Sequence, residues 1–408
     1  MAPAGNAERE TIVVGAGPVG LTAALALASL GRSVTLLEVG PNNRPRPGSR
    51  AIFVHKETLR LLEQFSPGLS ATLVEHGLVW QTKRTLYRGK EVYAKTYPPT
   101  RPGAVPQFTS LPQVETERYL LEACKRAGVE LVWDSAVSAV RTDESGVELA
   151  TAAGATWTAP YVVAADGARS SVRQSLGIGM EGSRAPGRYI VVDVAEDPAD
   201  PLPVERVFHY EHPEVEGRNV LLVPFKGGWR IDLQLHEHDV LEEFESEDGV
   251  RRWLPRVIDA RYADRIKWVS SYQFLQLVAS RFTDDHDRVL LVGEAAHLFA
   301  PFGARGMNSG VADAEAAAAA VHVGLSATNP LRAKGAVEEF SALRVAAARF
   351  NRDAAGAALT HLRPSPPVRA QQRMAATLAP RLRRFGEWLE RAPYGPRTAP
   401  PGSLTGRY

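Results

Sequence analysis

The sequence predicts an α/β protein in which a parallel β-sheet flanked by helices is combined with a second, mainly antiparallel sheet. Three apolar runs, at residues 11–14, 161–165 and 289–292, each lead into a glycine-containing turn and, beyond it, a helical pattern. The stretch between the last two runs instead shows short segments in which apolar and polar residues alternate. Continuous apolar strands followed by helices are typical of parallel sheets, and alternation is typical of antiparallel sheets with one buried face. The parallel part therefore predicts a Rossmann-like, nucleotide-binding domain.

These patterns divide the 408 residues into three regions. Residues 1–178 and 280–330 are expected to form the nucleotide-binding domain, which is therefore discontinuous. Residues 179–279 are expected to form an inserted β-sheet domain, and residues 331–408 are expected to form helices followed by an irregular, Pro/Gly-rich tail. A chain of this length can bury a large core in two joined domains.

Composition and charge exclude several classes of protein. Hydrophobic residues make up 44% of the chain and the formal net charge is +2, which gives no indication of nucleic-acid binding. The single cysteine, Cys124, excludes an internal disulfide and a cysteine-based metal cluster, and its place on an apolar helical stripe favours a buried structural thiol. The chain begins without the pattern of a signal peptide, and no apolar stretch is long enough to span a bilayer. We therefore expect a cytoplasmic protein with no metal site and no membrane partner.

The first glycine cluster predicts a dinucleotide site. It reads Gly15-Ala16-Gly17-Pro18-Val19-Gly20 and lies between a strand and a helix. In such a motif the first glycine permits a tight turn, the second lets a pyrophosphate approach the backbone, and the third lets the helix pack on the strand. Glu38 ends the next strand 18 residues later, where a carboxylate would accept hydrogen bonds from ribose hydroxyls. The alternative is a glycine-rich turn without a ligand.

The other elements follow from periodicity and from turn signals. Helices are expected at residues 56–65, 113–127, 240–253, 311–323, 331–358 and 368–390, and strands at residues 33–37, 130–133, 136–141, 147–150, 156–158, 189–194, 204–210, 219–223, 229–235 and 267–276. A hairpin is expected at residues 85–97. Residues 41–50 form a Pro- and Arg-rich loop. Of its arginines, Arg50 is favoured over Arg44 and Arg46 for contact with a phosphate, and the alternative is a solvated basic loop.

Two later turns could line the same crevice as the first glycine cluster. The strand at residues 161–165 ends in Asp166-Gly167, and the last apolar strand ends in Gly293-Glu294. The glycine-rich turn at residues 300–310 then presents a second helix N-terminus, where backbone N–H groups can meet negative charge. Because ligands of open α/β sheets bind at the carboxyl ends of the strands, these turns are expected to converge.

The three segments together resemble the p-hydroxybenzoate hydroxylase-like, single-component (class A) FAD-dependent aromatic hydroxylases. The resemblance is carried by residues 15–20, by residues 163–167, and by residues 293–297 with Pro301, Gly303, Gly306, Asn308 and Gly310. It spans about residues 10–325 and implies the p-hydroxybenzoate hydroxylase-like fold. The chain departs from the family in having Glu294 where aspartate is usual. Residues 325–408 are helical and broken by prolines, so we expect no C-terminal thioredoxin-like domain.

The resemblance assigns the FAD-binding residues one by one. Residues Gly15 to Gly20 and Glu38 would hold the ADP half of FAD, Arg50 and Gln113 would lie beside its phosphate and ribityl region, and the backbone at Val137 would lie by the adenine. Asp166 and Gly167 would contact FAD and the nicotinamide cofactor. Gly293 and Glu294 would hold the ribityl chain, and Pro301 and Gly303 would lie near the reactive edge of the flavin. Gly306, Met307 and Asn308 would stabilise negative charge on the reduced ring.

The resemblance also implies the reaction. NADPH or NADH would reduce FAD, O₂ would add to give a flavin C4a-hydroperoxide, and one oxygen atom would pass to a phenolic or polycyclic aromatic substrate. Only one full dinucleotide motif is visible, so the nicotinamide cofactor would bind transiently. Two alternatives stay open: another flavin reaction on this scaffold (epoxidation, Baeyer–Villiger insertion or reduction), and a non-catalytic flavoprotein.

The inserted sheet is expected to bind the substrate against the flavin. His209, Tyr210, Gln234 and Tyr272 lie on or near its strands and are weak candidates for contact with the substrate; an ordinary sheet residue is the favoured alternative for each, because the strand register is not fixed by the sequence. His297, inside the third motif, is expected to make a structural hydrogen bond. No catalytic base is assigned, and the sequence gives no substrate identity and no oligomeric state.

Overall fold

The computed structural model describes residues 7–42, 48–101 and 103–396. Arg44 and Arg46, two of the phosphate-contact candidates, lie outside the described residues. The helices of the described residues are α1 (Pro18–Ser29), α2 (Lys56–Phe65), α3 (Leu69–His76), α4 (Gln113–Arg126), α5 (Ser171–Ser175), α6 (Glu242–Glu245), α7 (Glu247–Trp253), α8 (Arg305–Ser326), α9 (Pro330–Leu362), α10 (Pro366–Leu378) and α11 (Arg383–Arg391).

The strands fall into five sheets. In chain order they are β1 (Ala7–Glu8), β2 (Thr11–Val14), β3 (Val34–Leu37), β4 (Phe53–His55), β5 (Thr82–Tyr87), β6 (Lys90–Thr96), β7 (Phe108–Ser110), β8 (Glu130–Val132), β9 (Val137–Thr142), β10 (Val147–Thr151), β11 (Thr156–Ala159), β12 (Tyr161–Ala164), β13 (Met180–Arg184), β14 (Tyr189–Ala195), β15 (Glu205–His212), β16 (Arg218–Phe225), β17 (Gly228–Gln234), β18 (Ile266–Tyr272), β19 (Leu275–Ala279), β20 (Val289–Leu291) and β21 (His297–Leu298).

A five-stranded, all-parallel sheet forms the centre of the nucleotide-binding part. Its order is β20-β12-β2-β3-β8, so the last apolar run of the sequence lies beside the second one. Strands β2, β3 and β12 are buried along their whole length, which explains why they are apolar without alternation. Helix α1 packs against α4 and α8, and Cys124 of α4 donates its thiol hydrogen to the Leu21 carbonyl at 3.2 Å. Burial raises the pKa of that thiol to about 12, as expected for a structural cysteine.

A seven-stranded sheet forms the second part, in the order β18-β14-β17-β16-β15-β5-β6. The predicted hairpin is present as β5 and β6, and it joins this sheet, with β5 parallel to β15. The sheet therefore draws two strands from the region before residue 178 as well as five from residues 179–279. The division into domains stays a prediction.

The two faces of this sheet pack against different neighbours. On one face, Ile190, Val192 and Ile231 pack with Val250 and Trp253 of α7. Because side chains alternate along a strand, the residues between them lie on the opposite face. That opposite face, called the inner face below, carries Tyr189, Val191, Asp193, Arg230, Asp232, Gln234, Leu221, Phe208 and Tyr210.

The C-terminal helices cover one end of the inner face. Phe208 and Tyr210 pack with Leu362 of α9 and Leu389 of α11. The long helix predicted at residues 368–390 is two helices, α10 and α11, since Ala379–Leu382 separates them. The helix predicted at residues 240–253 is likewise two, because Ser246 caps the second by accepting from the Gly249 N–H. Among the described residues, none of the helices has the length and apolar character needed to cross a membrane.

Candidate functional site

The carboxyl ends of the parallel strands meet at one edge of the sheet. Val14, the last residue of β2, pairs with Leu37 of β3 and with Ala164 of β12, and Ala164 pairs with Leu291 of β20. The three motifs singled out in the sequence follow these residues directly. They therefore converge at one edge, as predicted.

The glycines of the first motif perform three different roles. Gly15 has φ of +102°, and a Cβ placed on it would lie 2.5 Å from the Ala165 carbonyl oxygen, so the turn requires glycine. A Cβ on Gly20 would overlap the Gly15 carbonyl oxygen, so α1 can approach the strand only with glycine there. Gly17 is the N-cap of α1 with φ of −75°, and a Cβ on it would meet nothing within 4 Å. Open space at Gly17, next to the free N–H groups of the first helical turn, is suited to a pyrophosphate.

Glu38 is buried and holds the glycine turn. Its carboxylate accepts a hydrogen bond from the Ala16 N–H at 2.6 Å and one from the Gly40 N–H at 3.3 Å. Its position at the end of β3 is the one predicted for the acid that binds ribose. The carboxylate also fixes the backbone of the turn, a role that the sequence did not indicate.

The Asp166-Gly167 turn presents a carboxylate oxygen that has no partner in the described part of the chain. One oxygen of Asp166 accepts from the Val172 N–H at 3.1 Å and the Ser171 hydroxyl at 3.3 Å, which fixes the start of α5. The other, Oδ1, is buried and has no hydrogen-bond partner among the described residues. Ser171 also donates to the Val137 carbonyl at 2.7 Å, so the predicted adenine-side residue is tied to the same turn.

Helix α8 begins at Arg305, six residues earlier than predicted, so Gly306, Met307 and Asn308 lie in its first turn. The Asn308 side chain is fully occupied. It accepts from the His55 N–H at 2.9 Å and the Thr58 hydroxyl at 2.7 Å, and it donates to two backbone carbonyls. Any contact of this turn with a negatively charged ring would therefore come from backbone N–H groups rather than from the Asn308 amide.

Arg50 and Glu294 approach each other at this edge. Arg50 has φ of +49°, uncommon for a non-glycine residue, and the next residue, Ala51, donates its N–H to the Gln113 side chain at 3.2 Å. Desolvation raises the pKa of Glu294, and the nearby charges of His297 and Arg50 partly oppose that shift. Glu294 is nevertheless exposed to solvent. Water therefore reaches the Glu294 carboxyl, while the surrounding protein atoms still desolvate it. Both the raised pKa and the exposure fit a side chain on the wall of a cavity.

Buried charged side chains fix the position of the third motif, residues 293–297. His297 donates from Nε2 to Asp313 of α8 at 2.6 Å, and Arg344 of α9 donates to the same carboxylate at 2.7 Å. Asp313 also accepts from the Gly293 N–H at 3.1 Å. The Arg344 and His297 charges hold the pKa of Asp313 below its usual value despite its burial. His297 thus makes a structural hydrogen bond, as expected, and the group fixes Gly293 relative to α8.

Independently of the resemblance, the geometry of this edge of the parallel sheet suits the ADP and flavin parts of FAD. The buried Asp166 oxygen lacks a partner among the described residues, and a Cβ on Gly17, Gly167 or Gly306 would point into open space. Two helices, α1 and α8, begin here, and both have backbone N–H groups in their first turns. Arg50 adds a positive charge. This donor set suits a ligand that carries a diphosphate and an electron-accepting ring.

The four sequence candidates on the inserted sheet do not form one site. Tyr210 is buried under α11, where its hydroxyl donates to the Leu389 carbonyl at 2.6 Å and contacts His361 Nε2 at 2.8 Å. The Gln234 side chain donates a hydrogen bond to the Leu362 carbonyl and accepts one from the Asn219 side-chain amide. His209 pairs with Val220, whose side chain packs on the α7 side of the sheet, so it lies on the face away from the FAD site.

Tyr272 is the candidate that lies near the aromatic end of the inner face. It pairs with Tyr189 across β14 and β18 and stacks on Phe274 at 6.3 Å between ring centroids. Tyr189 in turn contacts Phe274 and Phe302 at 4.9 and 5.8 Å. Phe302 follows Pro301 in the turn before α8. The sequence analysis missed this aromatic cluster because its members are far apart in the chain.

A second contact between the inner face and the FAD site was also missed. Asp193 accepts hydrogen bonds from the N–H and the hydroxyl of Ser49, both at 2.7 Å, and Arg230 lies 3.6 Å from the same carboxylate. Ser49 immediately precedes Arg50. The sheet therefore positions the loop that carries the predicted phosphate contact.

Comparison with known proteins agrees with the geometry. A family model described as "FAD binding domain" matches residues 8–329. A 3-(3-hydroxy-phenyl)propionate/3-hydroxycinnamic acid hydroxylase of Shigella sonnei (strain Ss046) is 30% identical over 319 residues, which cover 76% of this chain and 55% of the relative. The chain thus spans about half the length of the curated relatives that it matches.

Two solved structures extend the likeness beyond the region that the family model matches. The p-nitrophenol 4-monooxygenase PnpA from Pseudomonas putida DLL-E4 is 26% identical with a TM-score of 0.74, and the match covers 96% of this chain and 100% of that one. The flavin-dependent monooxygenase PieE, solved in complex with FAD and substrate, is 23% identical with a TM-score of 0.73, over 95% and 71% of the two chains. At that identity, the likeness to PieE concerns the fold.

Proposed function

This chain belongs to the FAD binding domain family of FAD-dependent aromatic hydroxylases and has FAD as its cofactor, and from that premise we propose that it hydroxylates a phenolic or polycyclic aromatic compound with NAD(P)H and O₂. The observation that carries the proposal is the position of the inner face. An aromatic cluster on that face adjoins the turn before α8, at the edge where the FAD-binding motifs converge.

The protein's own residues have three tasks in this reaction. The first turns of α1 and α8 bind the diphosphate and stabilise negative charge on the reduced ring. Arg50, held by the Ser49–Asp193 and Ala51–Gln113 hydrogen bonds, positions the cofactor from the other side. The inner face holds an aromatic ring against the cofactor and excludes water.

FAD supplies the oxygen-transfer chemistry once a nicotinamide cofactor has reduced it. The choice between NADH and NADPH and the route through an oxygenated flavin stay predictions. Likeness to PnpA along the full chain supports a nitrophenol-sized or larger phenol as the substrate. The curated hydroxylases act, by their names, on aromatic acids, but they share only about half of their length with this chain.

The proposal is tested with purified, FAD-loaded protein. We expect one or more phenols in a panel to accelerate NAD(P)H oxidation and to acquire one ¹⁸O atom from ¹⁸O₂. Phenols that accelerate NAD(P)H oxidation while all oxygen is released as H₂O₂ would indicate uncoupled binding of non-substrates. A reduced product without ¹⁸O would overturn the monooxygenase proposal in favour of a reductase. Failure of NADH and NADPH to reduce the flavin with every phenol present would favour a non-catalytic flavoprotein.

A further inference from the structure

Asp232 is an ionisable side chain on the inner face that makes no hydrogen bond within the described part of the chain. It lies in the middle of β17, opposite Val191 on one neighbouring strand and Leu221 on the other. Its Oδ1 is buried, and the carboxyl group makes no hydrogen bond to the described residues. Buried polar groups in proteins nearly always have a partner, because removing one from water without a replacement costs free energy. The missing partner is therefore expected to be a ligand.

The charged groups nearest to Asp232 do not supply that partner. They are Arg230 on the same strand and Asp193 on β14. Burial, with a contribution from the Asp232 charge, raises the pKa of the Tyr189 hydroxyl on β14, but that hydroxyl makes no hydrogen bond to Asp232. The Arg230 guanidinium donates to the Ser49 hydroxyl and lies beside Asp193. Asp193 is itself occupied by the N–H and hydroxyl of Ser49. These contacts fix the Arg50 loop and none of them reaches Asp232, although the Arg230 Nε is itself buried without a hydrogen-bond partner among the described residues.

Asp232 lies between the two points where the inner face touches the FAD site. Tyr189 contacts Phe302 in the turn before α8, and Asp193 holds Ser49 beside Arg50. Val191 lies between Tyr189 and Asp193 on β14, and Asp232 is its direct cross-strand neighbour. A flat ring lying over Val191, Asp232 and Leu221 would therefore lie between those two contacts and face the cofactor site.

The protonation behaviour of Asp232 agrees with a place on a cavity wall. The side chain is partly exposed, yet desolvation raises its pKa from 3.8 to about 6, and the Asp193 charge adds to that rise while Arg230 opposes it. A carboxyl group with a pKa near the working pH can both accept and release a proton.

We propose that Asp232 is a catalytic residue that binds the hydroxyl group of the aromatic substrate and accepts its proton when the ring is attacked. The inference rests on the proposed function. In the step, the O–H bond of the substrate breaks, its proton passes to a carboxylate oxygen of Asp232, and the electron pair stays on the phenolic oxygen. The ring gains electron density at the positions ortho and para to that oxygen. The proton returns from the carboxyl group when the product is released.

This assignment also restricts the substrate class. Arg230, the cation that acts on Asp232 among the described residues, is shared with Asp193 and Ser49, so the Asp232 carboxylate favours a neutral hydrogen-bond donor over an anionic group. The ring that lies over β17 therefore bears a neutral hydroxyl there, and any carboxylate of the substrate lies elsewhere. A site built around such a donor is expected to reject analogues that lack it.

The test compares phenols with their methyl ethers, which differ by the single O–H donor. The probes are 4-methylphenol, 2-naphthol and a three-ring phenol with their methyl ethers, bound to oxidised, FAD-loaded protein and followed by the change in flavin absorbance at pH 7.5. For the phenol with the largest preference, we expect wild-type protein to bind it about 10- to 100-fold more tightly than its ether. Asp232→Asn should reduce that ratio to near one. Asp248→Asn, an exposed acid in the first turn of α7, is the matched control and should keep the wild-type ratio.

Wild-type protein alone provides a second measurement that needs no variant. Affinity for the phenol should fall as the pH is lowered through about 6, where Asp232 takes up a proton, whereas affinity for the ether should not change. The proposal is wrong if no phenol binds wild-type protein more tightly than its ether, or if Asp232→Asn keeps the preference. FAD content of the variant shows whether its cofactor site has folded.

Turnover separates this inference from the proposed function. If ¹⁸O enters a phenol in wild-type protein, Asp232→Asn should lower the coupled rate roughly 10²-fold or more and should remove the acidic limb of its pH profile. An unchanged rate and profile would overturn the role of Asp232 and leave the hydroxylase proposal standing. If binding depends on Asp232 but no phenol ever acquires ¹⁸O, the binding site stands and the hydroxylase proposal fails.

Discussion

Substitution of Gly17 by alanine separates cofactor binding from folding. Gly17 has φ of −75° and ψ of 177°, which any residue adopts, and a Cβ on it would meet no protein atom within 4 Å. Alanine is a poorer N-cap than glycine, but it also restricts the unfolded chain, so the net change in the free energy of unfolding should stay within about 1 kcal/mol. The added methyl group would, however, occupy the space where a diphosphate approaches the first turn of α1.

The loss of FAD affinity can be estimated from the contacts at that turn. A hydrogen bond to a charged group contributes about 1.5–3 kcal/mol, so displacing the diphosphate from two N–H donors costs about 3–6 kcal/mol. That corresponds to a roughly 10²- to 10⁴-fold weaker Kd for FAD. Gly15→Ala should behave differently, because its φ of +102° and the Ala165 carbonyl oxygen at 2.5 Å would strain the turn itself.

The assay combines FAD titration by fluorescence with thermal unfolding of the protein without FAD. Gly17→Ala should melt close to wild type but bind FAD weakly, whereas Gly15→Ala should melt at a lower temperature. Gly335→Ala, an exposed position inside α9 with nothing within 4 Å of its Cβ, is the control and should keep wild-type FAD affinity while melting at a slightly higher temperature, because alanine favours a helix over glycine. Wild-type FAD affinity in Gly17→Ala would refute the assignment of this turn as the diphosphate site.

Two further substitutions test the buried charges. Asp313→Asn leaves Arg344 buried without its counter-charge and should lower the free energy of unfolding by about 3–5 kcal/mol in a denaturant titration, and a loss below about 1 kcal/mol would contradict a structural role. Asp232→Asn should instead stabilise the protein at pH 8 by up to about 3 kcal/mol, because a pKa raised from 3.8 to about 6 means that the ionised carboxyl destabilises the fold above pH 6. That gain should disappear below about pH 3, well under the unfolded pKa of 3.8, where the wild-type carboxyl is protonated in both folded and unfolded chains, and equal stabilities at pH 8 would contradict the view that the fold does not use Asp232.

Sequence reasoning was most successful where the signal is local. The helix at Lys56–Phe65 has the predicted bounds, and the strand ends at Val14, Ala164 and Leu291 lie side by side. Motifs at strand ends need only the strand and the next turn to be recognised, and parallel strands bring those ends to one edge whatever the strand order. The start of α8 was misplaced because a glycine-rich stretch has low helix propensity, and here the Asn308 hydrogen bonds hold it in a helix.

The substrate side could not be predicted in the same way, because it depends on contacts between distant segments. Alternation identifies which residues of a strand share a face but not what that face meets. Tyr210 and Asp232 are both on the inner face, yet α11 covers Tyr210, whereas Asp232 has a buried oxygen without a hydrogen-bond partner among the described residues. His209 pairs with Val220 in regular register and so lies on the α7 side, a placement that the sequence could not give because it does not say which face of β15 meets the FAD site.

The energetics of the inner face explain why Asp232 is the residue to examine there. Val191 and Leu221 beside it would pack favourably against another apolar residue, so stability alone gives no reason for a carboxyl group at this position. Asp193, by contrast, has a complete set of partners and holds the Ser49 backbone, so the fold itself accounts for its charge. A buried acid that the fold does not use and that destabilises it when ionised is best explained by what it does for a ligand. Asp193 and Asp232 lie on neighbouring strands of the same sheet. Their different hydrogen-bond partners assign a structural role to Asp193 and a chemical role to Asp232.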